Sequence, residues 1–239
     1  MKFVNLEEIK KIIKSGSTIA IGGFTINRKP VALVEEILKN DVKDLKLFVL
    51  GGSIDVDLLL KNKKVKKIFA AYVGYEGLGG SSLMRKAVES GEVEFEDLTE
   101  LIYYLGLKAG AEKKEFFETT SLVNSDISKT SSICEKSGNI CKIKPVNPDV
   151  CLIHAHRADK KGNILIDAPD FCEREMAMAS KIVIVSVEEI GEIDSEKISI
   201  QNKIVDYIVV APQGSLPTGC NNFYAPNLNK IWNFLNEKK

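Results

Sequence analysis

The sequence has no excess of charge of either sign. Its 239 residues include 33 Lys and Arg against 33 Asp and Glu, which argues against nucleic acids and anionic membrane surfaces as partners. No apolar run approaches the roughly 18–20 residues that a membrane-spanning helix needs, and charged residues interrupt the N-terminal segment where a signal peptide would be apolar. We therefore expect a soluble, cytoplasmic protein.

Sequence motifs for metals, disulfides and nucleotides are also missing. The five cysteines include no Cys-x-x-Cys pair, and His154 and His156 are the only histidines. Reduced, structural thiols are typical of such a set, and a zinc site is not expected. The sequence has neither a dinucleotide-binding glycine fingerprint nor a Gly-Lys-Ser/Thr phosphate loop. We predict no metal and no permanently bound cofactor.

What the sequence does contain is an alternation of short apolar runs with amphipathic segments. The predicted strands cover residues 18–21, 45–50, 67–73, 149–156, 164–166, 182–187 and 207–211, and the predicted helices cover residues 6–14, 30–39, 57–60, 83–90, 95–111, 172–179 and 227–239. Strands that alternate with helices and lack polar alternation indicate a parallel sheet buried on both faces. The sequence therefore predicts an α/β fold, an open and mostly parallel sheet with helices on both faces.

The length suits one large domain or two small ones. We predict a single domain over residues 1–239 because the segments between the predicted elements contain no stretch that resembles a domain linker. Residues 118–148 are polar and rich in Ser, Thr and Asn, and we interpret them as an excursion from the sheet with short strands around 140–143.

Residues 19–30 are the most informative stretch. An apolar strand ends at Gly22-Gly23, crosses a polar loop that contains Arg28, and meets Pro30 at the predicted first position of a helix. A glycine pair lets a ligand approach bare backbone, and a helix start offers free N–H donors to an anion. Arg28 could also bind a carboxylate with two parallel hydrogen bonds. An ordinary strand–loop–helix turn explains the same residues, so both interpretations stand.

Two more strand ends carry glycines. One is Gly51-Gly52-Ser53, and the other is the segment 75–82, in which Glu76 is a carboxylate set among glycines. Neighbouring parallel strands bring such loops together, although turns and helix capping by one of the serines at 81–82 would also account for them.

Four sequence blocks follow one another along the chain. They are Ile19–Pro30, Val150–Ala158 with the turn Asp159 to Asn163, Ile182–Ile190, and Val205–Pro212 with Gly214 and the segment Cys220–Asn227. In this order the blocks resemble the alpha-type subunit of the family I coenzyme A transferases, in its glutaconate CoA-transferase branch.

The resemblance implies an open α/β sheet and a reaction that moves coenzyme A between carboxylic acids by ping-pong exchange. It also implies that a homologous beta-type chain supplies the glutamate that attacks the acyl-CoA, in an α2β2 or larger hetero-oligomer. This chain would then hold no catalytic residue and would form the other wall of the pocket. The CoA ester would bind only as a substrate.

The expected contribution of that wall follows from the chemistry. A developing oxyanion needs N–H donors, which glycine-rich strand ends provide, and a second carboxylate on the acyl group needs a cation or hydroxyls. If the chain acted alone, Glu76 would be the nucleophile; beside a beta-type partner we expect it to face substrate or to be structural. The candidate substrate-binding residues are Gly22, Gly23, Phe24, Thr25, Arg28, Gly52, Ser53, Glu76, Ser81 and Ser82.

Two alternatives remain open. Some complexes that resemble glutaconate CoA-transferase decarboxylate an acyl-CoA, and the residue that decides between the reactions lies in the partner chain. A sugar-phosphate isomerase or a ligand sensor on a related open α/β fold would use the same glycine turns without coenzyme A.

Overall fold

The computed structural model describes residues 1–237, which form two β-sheets and seven α-helices. The strands are β1 (Lys2–Phe3), β2 (Thr18–Phe24), β3 (Leu45–Gly52), β4 (Val65–Val73), β5 (Glu94–Asp97), β6 (Phe117–Thr119), β7 (Cys134–Ser137), β8 (Ile140–Ile143), β9 (Val150–Ala158), β10 (Ile164–Leu165), β11 (Ile182–Ile190) and β12 (Tyr207–Val210). The helices are α1 (Val31–Leu38), α2 (Ile54–Lys61), α3 (Ser82–Glu89), α4 (Glu100–Ala111), α5 (Ile127–Thr130), α6 (Glu173–Ala179) and α7 (Leu228–Asn236), and 3₁₀ helices cover Leu6–Lys11, Glu76–Leu78 and Ser195–Lys197.

The main sheet reverses its direction of growth between β2 and β9. Its order is β1-β12-β11-β9-β2-β3-β4-β5, with β10 added to β9. Every neighbouring pair along that order is parallel, and only β10 runs antiparallel to its neighbour. The predicted open, mostly parallel sheet is confirmed. In sheets of this kind, ligands bind outside the carboxyl ends of the strands at the point where the order reverses.

Alternate residues of β2 face two different cores. Ile19 and Ile21 belong to a buried apolar cluster that includes side chains of α1 and α2, whereas Ala20 belongs to a second cluster that includes side chains of α4 and α6. Successive side chains of a strand point to opposite faces, so helices cover both faces of the sheet. The near-continuous apolar runs in the sequence reflect this burial.

The predicted helix over 95–111 is wrong in its first part. Glu94–Asp97 pairs in parallel with β4 as the edge strand, and the helix begins at Glu100. Thr99 starts the helix, because its side chain accepts a hydrogen bond from the backbone N–H of Ile102 at 3.1 Å. The predicted helix over 6–14 is also shorter, a 3₁₀ helix over Leu6–Lys11.

The polar segment 118–148 contains more structure than its composition suggests. β6 and β7 both pair antiparallel with β8 to form a separate three-stranded sheet. Cys141 and Ile143 of β8 are fully buried and belong to the same apolar cluster as α4. The assignment of the whole chain to one domain stays a prediction.

The C-terminal helix packs near the ends of the central strands. Ile231 of α7 is fully buried with Ile26, Val31, Ile54 and Tyr75. The predicted tail helix is present over Leu228–Asn236, and residues 238–239 lie outside the described part of the chain. Within residues 1–237, no helix is long and apolar enough to cross a membrane.

Candidate functional site

The carboxyl ends of β2, β3 and β4 meet at one edge of the sheet, beside the strand-order reversal. The backbone N–H of Thr25 donates to the carbonyl of Gly51 at 2.9 Å, and the N–H of Gly74 donates to Gly52 at 2.9 Å. The Thr25 hydroxyl donates to the carboxylate of Glu76, which links the first loop to the third. The three glycine-containing loops are therefore in direct contact, as the parallel arrangement of their strands predicts.

The glycine pair of β2 forms an irregularity in the sheet. The pairing of β2 with β3 shifts register between Ile21 and Phe24, and Gly23 has a φ of +72°. A Cβ atom on Gly23 would lie 2.5 Å from the carbonyl oxygen of Arg28, and one on Gly22 would lie 3.1 Å from Cγ of Glu173. The turn that opens the candidate site therefore requires glycine at position 23.

Arg28 does not face an open pocket. Its side chain is 1% exposed, its Nη2 lies 2.9 Å from Oε1 of Glu173, and it donates to the carbonyls of His154 and Pro169. Burial alone would raise the pKa of Glu173, but Arg28 and backbone donors, including the N–H of Gly23, hold it below its usual value. The proposed bidentate contact of Arg28 with a substrate carboxylate is not supported by this geometry.

Lys29 is enclosed in the same way. Its ammonium lies 2.9 Å from Oδ2 of Asp55 and 3.2 Å from the carbonyl of Gly51, and both Lys29 and Asp55 are fully buried. The two cations that the sequence placed in this loop thus hold the loop to α2 and α6. Sequence reasoning missed both acidic partners, although each is a carboxylate in the first turn of a helix, where such a residue is favourable.

Glu76 differs from these groups because it is exposed. Its Oε1 accepts hydrogen bonds from the hydroxyl of Thr25 and from Nδ2 of Asn27, the second at 3.1 Å. Both Thr25 and Glu76 have left-handed backbones, with φ of 48° and 52°. Such conformations are costly for residues other than glycine and persist only where surrounding contacts impose them. The structure therefore fixes this carboxylate at the edge of the sheet.

The three candidate serines have different environments. Ser53 is fully buried, and its hydroxyl donates to the carbonyl of Thr25. Ser81 is the N-cap of α3: it accepts from the N–H of Met84 at 2.9 Å and donates to buried Asp57. Ser82 is half-buried in the first turn of the same helix. Ser53 and Ser81 are therefore used in holding the loops together.

The backbone donors at these strand ends also have partners inside the chain. The N–H groups of Gly23, Phe24 and Ser53 donate to Glu173, to the carbonyl of Asn27 and to Asp55 respectively. An oxyanion hole needs preorganised donors that point at the substrate. The expectation that these glycine-rich ends supply such donors is not supported, because their hydrogens are already engaged.

A second polar group lies beneath the loop that follows β12. His154 on β9 contacts Glu188 at 2.7 Å through Nε2 and Ser186 at 2.8 Å through Nδ1, and Glu188 also accepts from Tyr224 and from the N–H of Gln213. Burial alone would raise the pKa of Glu188, but these donors lower it, so the carboxylate is ionised. Burial lowers the pKa of His154, so its ring is neutral and donates through Nε2.

Ligand atoms of His154, Glu188 and Cys220 lie within 4.8 Å of one another, a spacing that a metal ion could use. The hydrogen bonds to His154 and Glu188 account for their polar atoms without an ion. Burial raises the pKa of the Cys220 thiol to about 12, so it carries no thiolate at neutral pH. The absence of a metal stays a prediction.

Comparison with known proteins agrees with this architecture. The sequence pattern of the coenzyme A transferase family matches residues 6–211. One of the subunits of glutaconate CoA-transferase from Acidaminococcus fermentans is 32% identical over 248 aligned positions, which cover 91% of this chain and 77% of that protein. The chain therefore belongs to the coenzyme A transferase family. Within the family it is an alpha-type subunit, as the order of its sequence blocks predicts.

Two solved structures are similar over nearly the whole chain. The crystal structure of glutaconate coenzyme A-transferase from Acidaminococcus fermentans matches with a TM-score of 0.90 and 28% identity, covering 98% of this chain and 83% of that one. A variant of the decarboxylase AibA/AibB matches with a TM-score of 0.88 and 26% identity, covering 98% of this chain and 92% of that one. The same fold thus occurs in proteins named for two different reactions.

Proposed function

We propose that this alpha-type subunit forms one wall of an active site and that a homologous beta-type chain supplies the nucleophilic glutamate. In the proposed cycle that glutamate attacks the acyl-CoA, and coenzyme A passes to it as a thioester while the first carboxylate leaves. The acceptor carboxylate then takes the coenzyme A in the second half of the exchange. A covalent intermediate divides one difficult transfer into two easier ones.

One observation carries this proposal: the edge of the sheet at the strand-order reversal provides a positioned carboxylate, but its backbone donors are engaged within the chain. Glu76 is held by Thr25 and Asn27, and the N–H groups of Gly23 and Phe24 have partners of their own. Such an edge can contact a substrate but lacks the donors that acyl transfer needs. A second chain would complete it.

The candidate residues divide into two groups on this view. Phe24 and Ser82 are half-buried and Glu76 is exposed, so we propose these three for contact with the acyl-CoA. The other candidates shape the loops beneath them, and they are Gly22, Gly23, Thr25, Arg28, Gly52, Ser53 and Ser81. CoA esters enter this scheme as substrates of an α2β2 or larger hetero-oligomer.

The test begins with co-purification of the chain from its native source and identification of the protein that accompanies it. The complex should exchange coenzyme A between carboxylic acids, and the isolated chain should not. Trapping the thioester and locating it by mass spectrometry should place it on the beta-type chain, also in a Glu76→Gln variant. Full exchange by the isolated chain, or complete loss of the adduct in Glu76→Gln, would overturn the proposal.

The similarity to AibA/AibB favours a second candidate function, a component of an acyl-CoA decarboxylase. The two functions differ in their products, because decarboxylation releases carbon dioxide and leaves coenzyme A on the shortened acyl group. Incubating the complex with an acyl-CoA and no acceptor acid separates them. Carbon dioxide release without an acceptor would favour the decarboxylase, and strict dependence on an acceptor would favour the transferase.

A further inference from the structure

The wall formed by the glycine loops has positive residues in its sequence but shows no positive charge from them at its surface. The side chain of Arg28 is 1% exposed and lies 2.9 Å from Glu173, which is fully buried. Lys29 is fully buried and lies 2.9 Å from Asp55. Each cation is therefore neutralised by a carboxylate beneath the loop and is unavailable to a substrate group at the edge of the sheet.

The charge that does reach the edge is negative. Glu76 is exposed, and both of its hydrogen-bond donors, Thr25 Oγ1 and Asn27 Nδ2, contact the same oxygen, Oε1. Among residues 1–237, no side chain or backbone group donates to Oε2. The left-handed backbones of Thr25 and Glu76 and the hydrogen bond from Thr25 to Gly51 hold the group in place. One carboxylate oxygen is thus fixed and the other is open as an acceptor.

These two observations point to the same substrate class. A fixed carboxylate repels a second carboxylate brought close to it, and the repulsion is strongest where a partner chain excludes water. An open acceptor oxygen instead rewards a hydroxyl, and a site that binds a hydroxyl discriminates strongly against analogues that lack it. The half-buried ring of Phe24, stacked on Phe171 at 5.0 Å, adds an apolar surface next to Thr25.

We infer that Glu76 determines specificity, and that the wall favours neutral, hydroxyl-bearing acyl groups and rejects acyl groups with a second, distal carboxylate. This inference rests on the proposed function, because it assumes that the acyl group of a CoA ester lies against this edge. It separates this chain from a transferase for dicarboxylic acids, despite the similarity in sequence to glutaconate CoA-transferase.

The test compares three acyl-CoA substrates of equal chain length, 4-hydroxybutyryl-CoA, butyryl-CoA and succinyl-CoA, using the complex of this chain with its beta-type partner. We expect kcat/KM to fall in that order, with at least a tenfold difference between the first and the last. Because Gln is neutral and similar in shape, Glu76→Gln should reduce the discrimination against succinyl-CoA at least tenfold. Glu89→Gln, an exposed glutamate on α3, is the matched control and should leave the order and ratios unchanged.

The outcomes separate the specificity from the reaction itself. A complex that prefers succinyl-CoA, or a Glu76→Gln variant that is folded and assembled but keeps the original ratios, overturns the inference and leaves the proposed function intact. Exchange with none of the three substrates, or with other carboxylic acids, overturns the proposed function itself. The comparison within the unmodified complex decides the question even if Glu76→Gln does not assemble.

Discussion

The carboxylate of Glu173 holds two parts of the glycine loop at once, the guanidinium of Arg28 at 2.9 Å and the backbone N–H of Gly23 at 3.1 Å. Both charged side chains are at most 1% exposed. The N-terminus of α6 is thereby fastened to the end of β2, at the reversal of strand order. An arginine that looks like a ligand-binding cation in the sequence is a structural residue in the fold.

Removing Glu173 should destabilise the protein far more than removing an ordinary surface charge. Glu173→Ala leaves the buried Arg28 guanidinium without its carboxylate, and breaking a buried pair in this way costs about 3–5 kcal/mol. Urea denaturation measures the change in the free energy of unfolding. Glu175→Ala, on the same helix and without an ion pair in the described chain, should change it by only about 0.5 kcal/mol. Equal losses in the two variants would contradict the proposed role of the ion pair.

The left-handed turn at Gly23 should not accept a side chain. In Gly23→Ala the Cβ would lie 2.5 Å from the carbonyl oxygen of Arg28 at a φ of +72°, so the loop must move. We expect a loss of stability of about 2 kcal/mol or more, together with weaker binding of the partner chain. Gly77→Ala is the control, because a Cβ there has no neighbour within 4 Å. A Gly23→Ala variant as stable as Gly77→Ala would show that the turn is not required.

Neighbouring serines should respond differently to the same substitution. Ser81→Ala removes the N-cap of α3 and a donor to buried Asp57, and we expect a cost of about 1–2 kcal/mol in the free energy of unfolding. Ser82→Ala changes neither contact and should be nearly neutral for stability. If Ser82 contacts the acyl-CoA as proposed, its substitution should instead raise KM. Equal thermal unfolding midpoints for the two variants would contradict the capping role of Ser81.

The sequence was a good guide to the fold because burial on both faces leaves a strong pattern. The runs at 18–21, 45–50 and 182–187 are apolar without alternation, and each is a strand of the parallel sheet. Glu94–Asp97 was missed, since an edge strand of four residues with three acidic side chains does not show that pattern. The β-strands within 118–148 were largely missed for a similar reason, as short antiparallel strands with one exposed face read as polar loops.

The candidate site was harder to predict, because its properties depend on long-range pairs. The sequence places Gly22-Gly23, Gly52 and Glu76 at strand ends, and parallel pairing brings those ends together. It gives no indication that Arg28 pairs with Glu173, so a buried cation and a substrate-binding cation look identical. Helix capping by a serine was predicted, but only the structure distinguishes Ser81 from Ser82.

The buried histidines should make stability depend on pH near neutrality. Burial lowers the pKa of both His154 and His156 in the folded protein, whereas in the unfolded chain each titrates near about 6.5. As the pH falls through that value the unfolded state takes up protons that the folded state does not, so the free energy of unfolding decreases. Glu188 acts at lower pH, since its lowered pKa matters only below about 4.3. Comparing wild type with His154→Gln by urea denaturation between pH 7.5 and 5.5 should show a smaller decrease in the variant, and equal decreases would contradict a neutral, buried His154.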